Sequence, residues 1–264
     1  MLDISTVESS LTSTVFTGKL HHFSSIGSTN TYAMQQARLG APHGSVYVAD
    51  EQTAGRGRND HQWLSAAGQG LYVSVIVRPR IATSQIIWLP LLAGLALHRA
   101  VFAATGLNAD LRWPNDLLIG ERKVAGILVE AQTDAALESV AVIGTGVNLH
   151  QKQFSAQLAT PATSLDLETG RFVSREDMLI ALLESLDHEM APLANDKQRD
   201  LALAAIPSRM EAISSWIRGK FVEVHGPQML RGNTAGLSSE GFLLVETERG
   251  QVTVTTGGLR KATT

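Results

Sequence analysis

The sequence has no cysteine. Disulfides, thiolate metal sites and every mechanism that runs through a thioester or a thiol nucleophile are excluded by that absence. It also lacks an excess of either charge: 22 Lys and Arg stand against 25 Asp and Glu, a net of -3. No global field of the kind that drives non-specific nucleic-acid binding results, so an anionic ligand must be met locally. The first twenty residues carry Asp3 and Glu8 among Ser and Thr with no basic stretch ahead of an apolar one, which predicts no secretory signal. The most apolar run, Ile86 to Leu97, is shorter than the ~20 residues a bilayer span needs. A cytoplasmic protein is expected. The eight histidines never fall at metal-ligand spacing, and no P-loop, Gly-x-Ser-x-Gly elbow or internal repeat occurs.

At 264 residues the chain can fill one sizeable core and a small second domain, since cores tend to split beyond ~250 residues. Ser28 is placed to cap a helix through Tyr32, Ala33, Gln36 and Ala37 that stops at Gly40 and Pro42. A short strand around Val46 and Val48 and a second from Leu71 to Arg78, with Leu71, Val73, Val75 and Val77 on one face, flank a loop of about twenty residues, a length usually functional. Ser84 to Thr105 reads as a buried helix bent or delayed by Pro90, and His98 on it as a satisfied core residue. Strands are expected over about Leu111 to Ile119, Val124 to Gln132 and Val140 to Leu149. Their connections are too short for a parallel crossover, so they should pair antiparallel, which argues against a Rossmann-type sheet. Ser174-Arg175-Glu176-Asp177 is a capping box for a helix through Met178, Leu182, Leu183 and Leu186. A further helix is expected over Lys197 to Ile217, broken near Pro207. From Gly219 short alternating stretches predict a small β-domain, dividing the chain at 1–216 and 217–264.

Four groupings could carry chemistry. Gln52-Thr53-Ala54-Gly55-Arg56-Gly57-Arg58 sets two guanidinium groups among glycines, a plausible clamp for phosphate or carboxylate, or else a solvated basic loop; Trp63 in the same loop favours closure onto something. Ser28-Thr29-Asn30 offers polar groups at a helix N-terminus, as ligand contacts or as plain caps. Trp113-Pro114-Asn115-Asp116 must interrupt its strand, because proline donates no ladder bond, and this releases Asn115 and Asp116 either into a site or into an Asx-type turn. Near that hairpin lie three cations, Arg112, Arg122 and Lys123, any of which could reach a phosphate or simply guard a strand edge. Gly126 allows close approach of a ligand or of another backbone. Gly144-Thr145-Gly146-Val147-Asn148 follows a strand, but lacks the third glycine and helix of a dinucleotide fingerprint.

In order, Ser-Thr-Asn, Gln-x-Ala-Gly-Arg-Gly-Arg, Arg-Trp-Pro-Asn-Asp, Arg-Lys-x-Ala-Gly-Ile-Leu-Val-Glu and Gly-x-Gly-x-Asn resemble the biotin protein ligases from about Ser28 to Asn148. The resemblance implies an α+β fold, a largely antiparallel central sheet flanked by helices as in class II synthetases, with a small C-terminal SH3-like β-barrel. It implies ATP-dependent biotinylation of a lysine on a carboxyl carrier domain of a biotin-dependent carboxylase, through biotinyl-5′-adenylate, with biotin and ATP as substrates and Mg2+ accompanying the ATP. By the same resemblance Ser28, Thr29, Asn30, Gln52, Gly55 and Gly126 belong to the biotin site. Arg56, Gly57 and Arg58 would clamp carboxylate and phosphate. Lys123 would lie against the carboxylate and the α-phosphate, and Arg112, Asn115 and Asn148 would face the nucleotide. Trp63 would order the loop against the adenylate, Asp116 would orient the incoming amine, and Arg260 is a further candidate for the nucleotide. Lys123, Arg56 and Asp116 form the catalytic set, and no metal ligands are assigned.

Three departures accompany the likeness. Where many members continue the clamp with Gly and Arg, this chain has Asp60 and His61, which predicts a less electropositive loop, and Arg112 stands where lysine is common. Some relatives carry a DNA-binding domain ahead of the ligase, whereas 27 residues precede Ser28, too few for one, so no DNA partner is expected. The rival readings are a lipoate–protein ligase, whose Arg-Arg and Gly-Gly-Gly pattern is not found here, and a biotin-binding sensor without turnover. Oligomeric state is left open by the sequence.

Overall fold

Leu71, Val73, Val75 and Val77, the face picked out by alternation, are all buried, and so are Tyr72, Ser74 and Ile76 between them. The strand that carries them is therefore buried on both of its faces. The structure is a computed structural model that describes residues 2–59, 61–133, 139–227 and 229–262. Its elements in chain order are α1 (Ile4–Ser10), β1 (Leu20–Phe23), α2 (Thr29–Arg38), β2 (Val46–Ala49), β3 (Gly70–Val77), α3 (Trp88–Thr105), β4 (Asp110–Arg112), β5 (Asp116–Ile119), β6 (Arg122–Thr133), β7 (Ser139–Asn148), α4 (Leu165–Thr169), α5 (Arg175–Met190), α6 (Asp196–Ile213), β8 (Arg218–His225), β9 (Leu230–Leu237), β10 (Leu243–Thr247), β11 (Gly250–Val254) and β12 (Gly258–Lys261).

The first seven strands form one sheet in the order β1-β2-β3-β7-β6-β5-β4. Only β1 and β2 pair parallel; every other neighbouring pair is antiparallel. One face packs on α3 and α5 in a core that runs from Leu2 to Leu259. On the other, α2 covers one end, where Ala33 and Ala37 meet Tyr47, Ile76, Val140 and Val142. Among the described residues no helix lies over the rest of that face.

Two expected features change. The strand anticipated over 111–119 is a hairpin: β4 and β5 pair with each other, Asp110 opposite Leu118 and Arg112 opposite Asp116, and the chain reverses at Trp113-Pro114-Asn115. Proline cannot join a ladder, so the break also becomes the turn. Trp113 and Pro114 are joined by a cis peptide. The helix expected to break near Pro207 runs unbroken through it, with Leu203, Ile206 and Met210 buried on either side. Packing of that face holds the helix where one backbone bond is missing. Pro90 instead falls in the first turn of α3, where a missing N–H has no partner to lose.

The reading of Ile86 to Leu97 as too short for a membrane is also corrected. With the 3-10 turn before α3, Thr83–Thr105 is long and apolar enough by length and composition, yet 61% of its most apolar window is buried inside the fold. Its apolarity is that of a helix packed on both sides.

The last five strands form an antiparallel sheet in the order β11-β10-β9-β8-β12. Val222, Val224, Leu243, Val245 and Leu259 join the same apolar core as the large sheet. Trp113 Nε1 donates to the Gly241 carbonyl at 3.4 Å across the join, and Trp216 and Ile217 at the expected boundary are buried.

Candidate active site

The uncovered part of the large sheet is floored by glycine. Residues opposite one another in register share a face, and on this face β3 presents Tyr72 and Ser74, β7 presents Gly144 and Gly146, and β6 presents Gly126 and Leu128. With no side chains on Gly126, Gly144 and Gly146, other groups approach the backbone directly. A Cβ on Gly146 would lie 2.5 Å from the Trp63 ring, and one on Gly126 would lie 3.1 Å from both Lys123 and Trp63. Above this floor is a cleft of about 580 Å³ lined by groups from every motif singled out in the sequence.

At the α2 end, Ser28 accepts from the Thr31 N–H as the helix cap, and Ser28, Thr29 and Asn30 are all buried. The Thr29 N–H donates to Gln52 Oε1 at 2.8 Å, and Gln52 Nε2 donates to Ser65 Oγ at 2.8 Å. Ser74 Oγ donates to Thr29 Oγ1 at 2.9 Å and Asn30 Oδ1 at 3.2 Å. The serine caps the helix, and its neighbours line the cleft in a closed network.

At the far end β4, the turn and β6 bring the charges together. Strict alternation from Gly126 would turn Lys123 to the other face. The β5–β6 register shifts between Leu117 and Leu118, so that Leu118 opposes Lys123 and the extra residue Val124 returns Lys123 to the cleft. Lys123 Nζ lies 2.6 Å from Asp116 Oδ1, and Arg112 Nη2 donates to Asp116 Oδ2 at 2.6 Å. Burial opposes ionisation of Asp116, but the Lys123 and Arg112 charges outweigh it and hold the carboxyl below its usual range. Asp116 is thus engaged by two cations and serves here to hold them, rather than standing free to orient an amine. Lys123 Nζ also lies 5.1 Å from the Trp63 ring centroid, and the Arg112 guanidinium 5.4 Å from that of Trp216. Asn115 is bound at its side chain and carbonyl: Nδ2 donates to the Ile127 carbonyl at 2.8 Å, while its own carbonyl accepts from Ile127 N–H. Asn148 Nδ2 donates to the Thr163 carbonyl at 3.0 Å.

The Gly-Arg-Gly-Arg segment is a folded turn over the cleft. The Trp63 N–H donates to the Gly55 carbonyl, and that of Gly57 to His61, so the two limbs pair. Gly55 lies outside the cleft lining, and a Cβ there would sit 2.4 Å from the Trp63 carbonyl, so its place is structural, letting the limbs meet. Arg58 Nη1 donates to Asn115 Oδ1 at 3.0 Å and to the Gly257 carbonyl at 3.1 Å. Burial lowers the Arg58 pKa, partly offset by Asp116. Arg56 turns the other way, to Glu130 at 2.9 and 3.0 Å. His61 is exposed on the turn, and Asp60 lies outside the described residues.

Several lining residues carried no sequence signal. Ser74 belongs to a strand read only as apolar. Gln151, Phe154, Ser155, Leu158 and Thr160 come from a segment assigned no element, which is tied to Lys123 by a backbone bridge: Lys123 N–H donates to Pro161 at 2.7 Å and Thr163 N–H to Lys123 at 2.9 Å. His225 and Arg260 reach the cleft from the small sheet. Among the described residues no group of three His, Asp or Glu could hold a metal, and Asp116, the only carboxylate lining the cleft, is already engaged.

Residues 22–148 match the Biotin/lipoate A/B protein ligase family. The chain is 34% identical over 235 residues to the bifunctional ligase/repressor BirA of Bacillus spizizenii, covering 85% of this chain and 68% of that one. It is 32% identical to the biotin--[acetyl-CoA-carboxylase] ligase of Mycobacterium tuberculosis, covering 88% and 84%. Among solved structures, the biotin protein ligase from Aquifex aeolicus in complex with biotin and ATP superposes with a TM-score of 0.78 at 28% identity, over 93% of this chain and 100% of that one. This chain belongs to the biotin protein ligases.

Proposed function

We propose that the chain attaches biotin to a lysine of a biotin carboxyl carrier domain in two steps at this one cleft. In the first, a biotin carboxylate oxygen attacks the α-phosphorus of ATP, the bond to the bridging oxygen breaks, and pyrophosphate leaves. In the second, the lysine amine attacks the acyl carbon of biotinyl-5′-adenylate, loses a proton and releases AMP. The observation that carries this reading is the position of Lys123, beside the glycine floor between a neutral polar end and a cationic end of one continuous cleft.

Thr29, Asn30, Gln52 and Ser74 supply paired donors and acceptors suited to a neutral ring that both donates and accepts. Arg112 and Lys123, preset by Asp116, are suited to charge that grows on a phosphate in the transition state. Arg58 adds a fixed guanidinium at the same end. Magnesium brought with ATP would be carried by the nucleotide's own phosphates, which fits the lack of a carboxylate cage among the described residues. The small sheet, residues 217–264, we read as the SH3-like unit of the family, lending Arg260 and the Gly257 carbonyl to the nucleotide end. Dependence on ATP suits a cytoplasmic protein.

The test is to incubate the purified chain with ATP, magnesium, an apo carrier domain and either biotin or lipoate, and to weigh the carrier. A gain equal to one biotin is expected. Gain with lipoate alone would overturn the reading, and tight biotin binding with no gain would leave a sensor instead.

A further inference from the structure

Glu130 lies on the cleft face of β6, two residues beyond Leu128 and four beyond Gly126, where the glycine floor gives way to the Ile76 and Val142 packing under α2. Both of its oxygens are engaged. Oε1 accepts from Arg56 Nη2 at 2.9 Å; Oε2 accepts from Arg56 Nη1 at 3.0 Å and also from the side-chain amide of Asn30. Asn30 itself has little room to move. Its Oδ1 accepts from Ser74 Oγ at 3.2 Å and rests so close over the floor that a Cβ on Gly144 would sit 2.4 Å away. Arg56, by contrast, is on the turn over the cleft, with its side chain 45% exposed. One carboxylate thus joins a fixed residue of the neutral end to a movable residue of the covering turn.

We propose that Glu130 is a positioning residue that transmits occupancy of the Asn30 end of the cleft to the covering turn through Arg56. The inference rests on the biotin-ligase reading for the identity of the ligand at Asn30. Beyond the backbone bonds at its base, the turn's two arginines anchor it, Arg58 to Asn115 and Gly257, and Arg56 to Glu130 and, at 3.4 Å, to Thr31 Oγ1. Only the second anchor shares an atom with the neutral end. A ligand that draws on the Asn30 amide must compete with Glu130 Oε2 or settle it, and either event changes how firmly Arg56 is held. A bidentate guanidinium–carboxylate pair makes this contact directional, and its strength depends on the charge of Glu130 rather than on its shape alone.

Glu130→Gln keeps the size and an acceptor while removing the charge. In the ligand-free chain, tryptic cleavage after Arg56 should quicken about tenfold, because loss of a charge-assisted bidentate pair frees the turn to open. Biotin, which should protect Arg56 in the wild type, should protect it less in the variant. The KM for biotin should rise about tenfold while that for ATP stays within about twofold, since Glu130 touches Arg56 and the Asn30 end and leaves the Arg58 anchor alone. In an Arg56→Ala background, adding Glu130→Gln should cost clearly less biotin affinity than it does alone, the remainder being its bond to Asn30. Unchanged cleavage at Arg56, equal rises in both KM values, or additive costs in the double variant would each overturn the proposal. Wild-type chain that makes no biotinyl-adenylate would defeat the ligase reading instead, with the tryptic comparison still judging the Arg56 anchor.

Discussion

Lys123 Nζ and Asp116 Oδ1 are 2.6 Å apart, and the second oxygen of the same carboxylate holds Arg112 at the same distance. Two cations that would repel each other beside an ATP phosphate are fixed by one buried anion between them. Asp116→Asn would leave both cations short of a partner, and breaking a buried pair this way costs about 3 kcal/mol. Its sign with pH follows from the lowered pKa. An aspartate ordinarily titrates near 3.8, and Asp116 titrates lower once Lys123 and Arg112 outweigh its burial. Its pairing therefore stabilises the fold in full above the ordinary value and is lost as the pH falls through the lower, folded-state value. Wild-type melting temperature should fall as the pH drops from about 5 to below the ordinary value, and Asp116→Asn should flatten that fall while lowering the melting temperature at neutral pH. An Asn variant as stable as the wild type at neutral pH would show that the three charges are not coupled.

Much of this site could be read from the sequence because its pieces are local. The Ser28 cap, the paired limbs around Arg56 and Arg58, and the break at Pro114 each depend on neighbours a few residues apart. What joins them depends on register. Gly144-Thr145-Gly146 is a weak motif when tested for a dinucleotide loop, and it acquires meaning only once β7 aligns Gly146 with Gly126 and Gly144 with Leu128. Ser74 was hidden for the same reason, since alternation tells which residues share a face but not which face meets a ligand. β9 was missed because Leu230–Leu237 carries Gly232 and Gly236 and few β-formers; its pairing with β8 and β10 makes it a strand. The segment from Gln151 to Ala162 has no periodicity to read, and is held at the cleft by its backbone bridge to Lys123 and by the Thr160 hydroxyl, which accepts from Arg112 at 3.0 Å.

The glycine floor gives a graded prediction. A methyl at Gly146 would meet Cε2 and Nε1 of Trp63 at 2.5 Å, so the indole must leave the floor; at Gly126 the nearest atoms are at 3.1 Å, and the Lys123 chain can yield. Trp88, Trp113 and Trp216 are buried, so Trp63 is the half-exposed one whose surroundings should change most. Gly146→Ala should red-shift the tryptophan emission and weaken biotin binding by about tenfold, overpacking of this kind typically costing about 1–3 kcal/mol. Gly126→Ala should do the same to a smaller extent. A Gly146→Ala chain with wild-type emission and affinity would mean that the Trp63 seat is not part of the ligand site.

Arg58 links the covering turn to the small sheet, and Gly257 is the point at which that link can be tested without touching either arginine. Gly257 has φ +130, and a Cβ on it would lie 2.5 Å from the His225 carbonyl, so alanine is strained by conformation and by contact together. The segment between β11 and β12 must shift, and with it the Gly257 carbonyl that accepts from Arg58. The loss of stability should be modest, about 1–3 kcal/mol, because β12 keeps its pairing with β8 over Leu259 to Lys261. The functional effect should be selective. Arg58 also bonds Asn115 at the cationic end, so the KM for ATP should rise several-fold in Gly257→Ala while binding of biotin alone, which draws on the α2 end, stays as in the wild type. Equal losses for both substrates would show that the small sheet supports the whole cleft rather than its nucleotide half, and no loss for either would show that Arg58 is held by Asn115 alone.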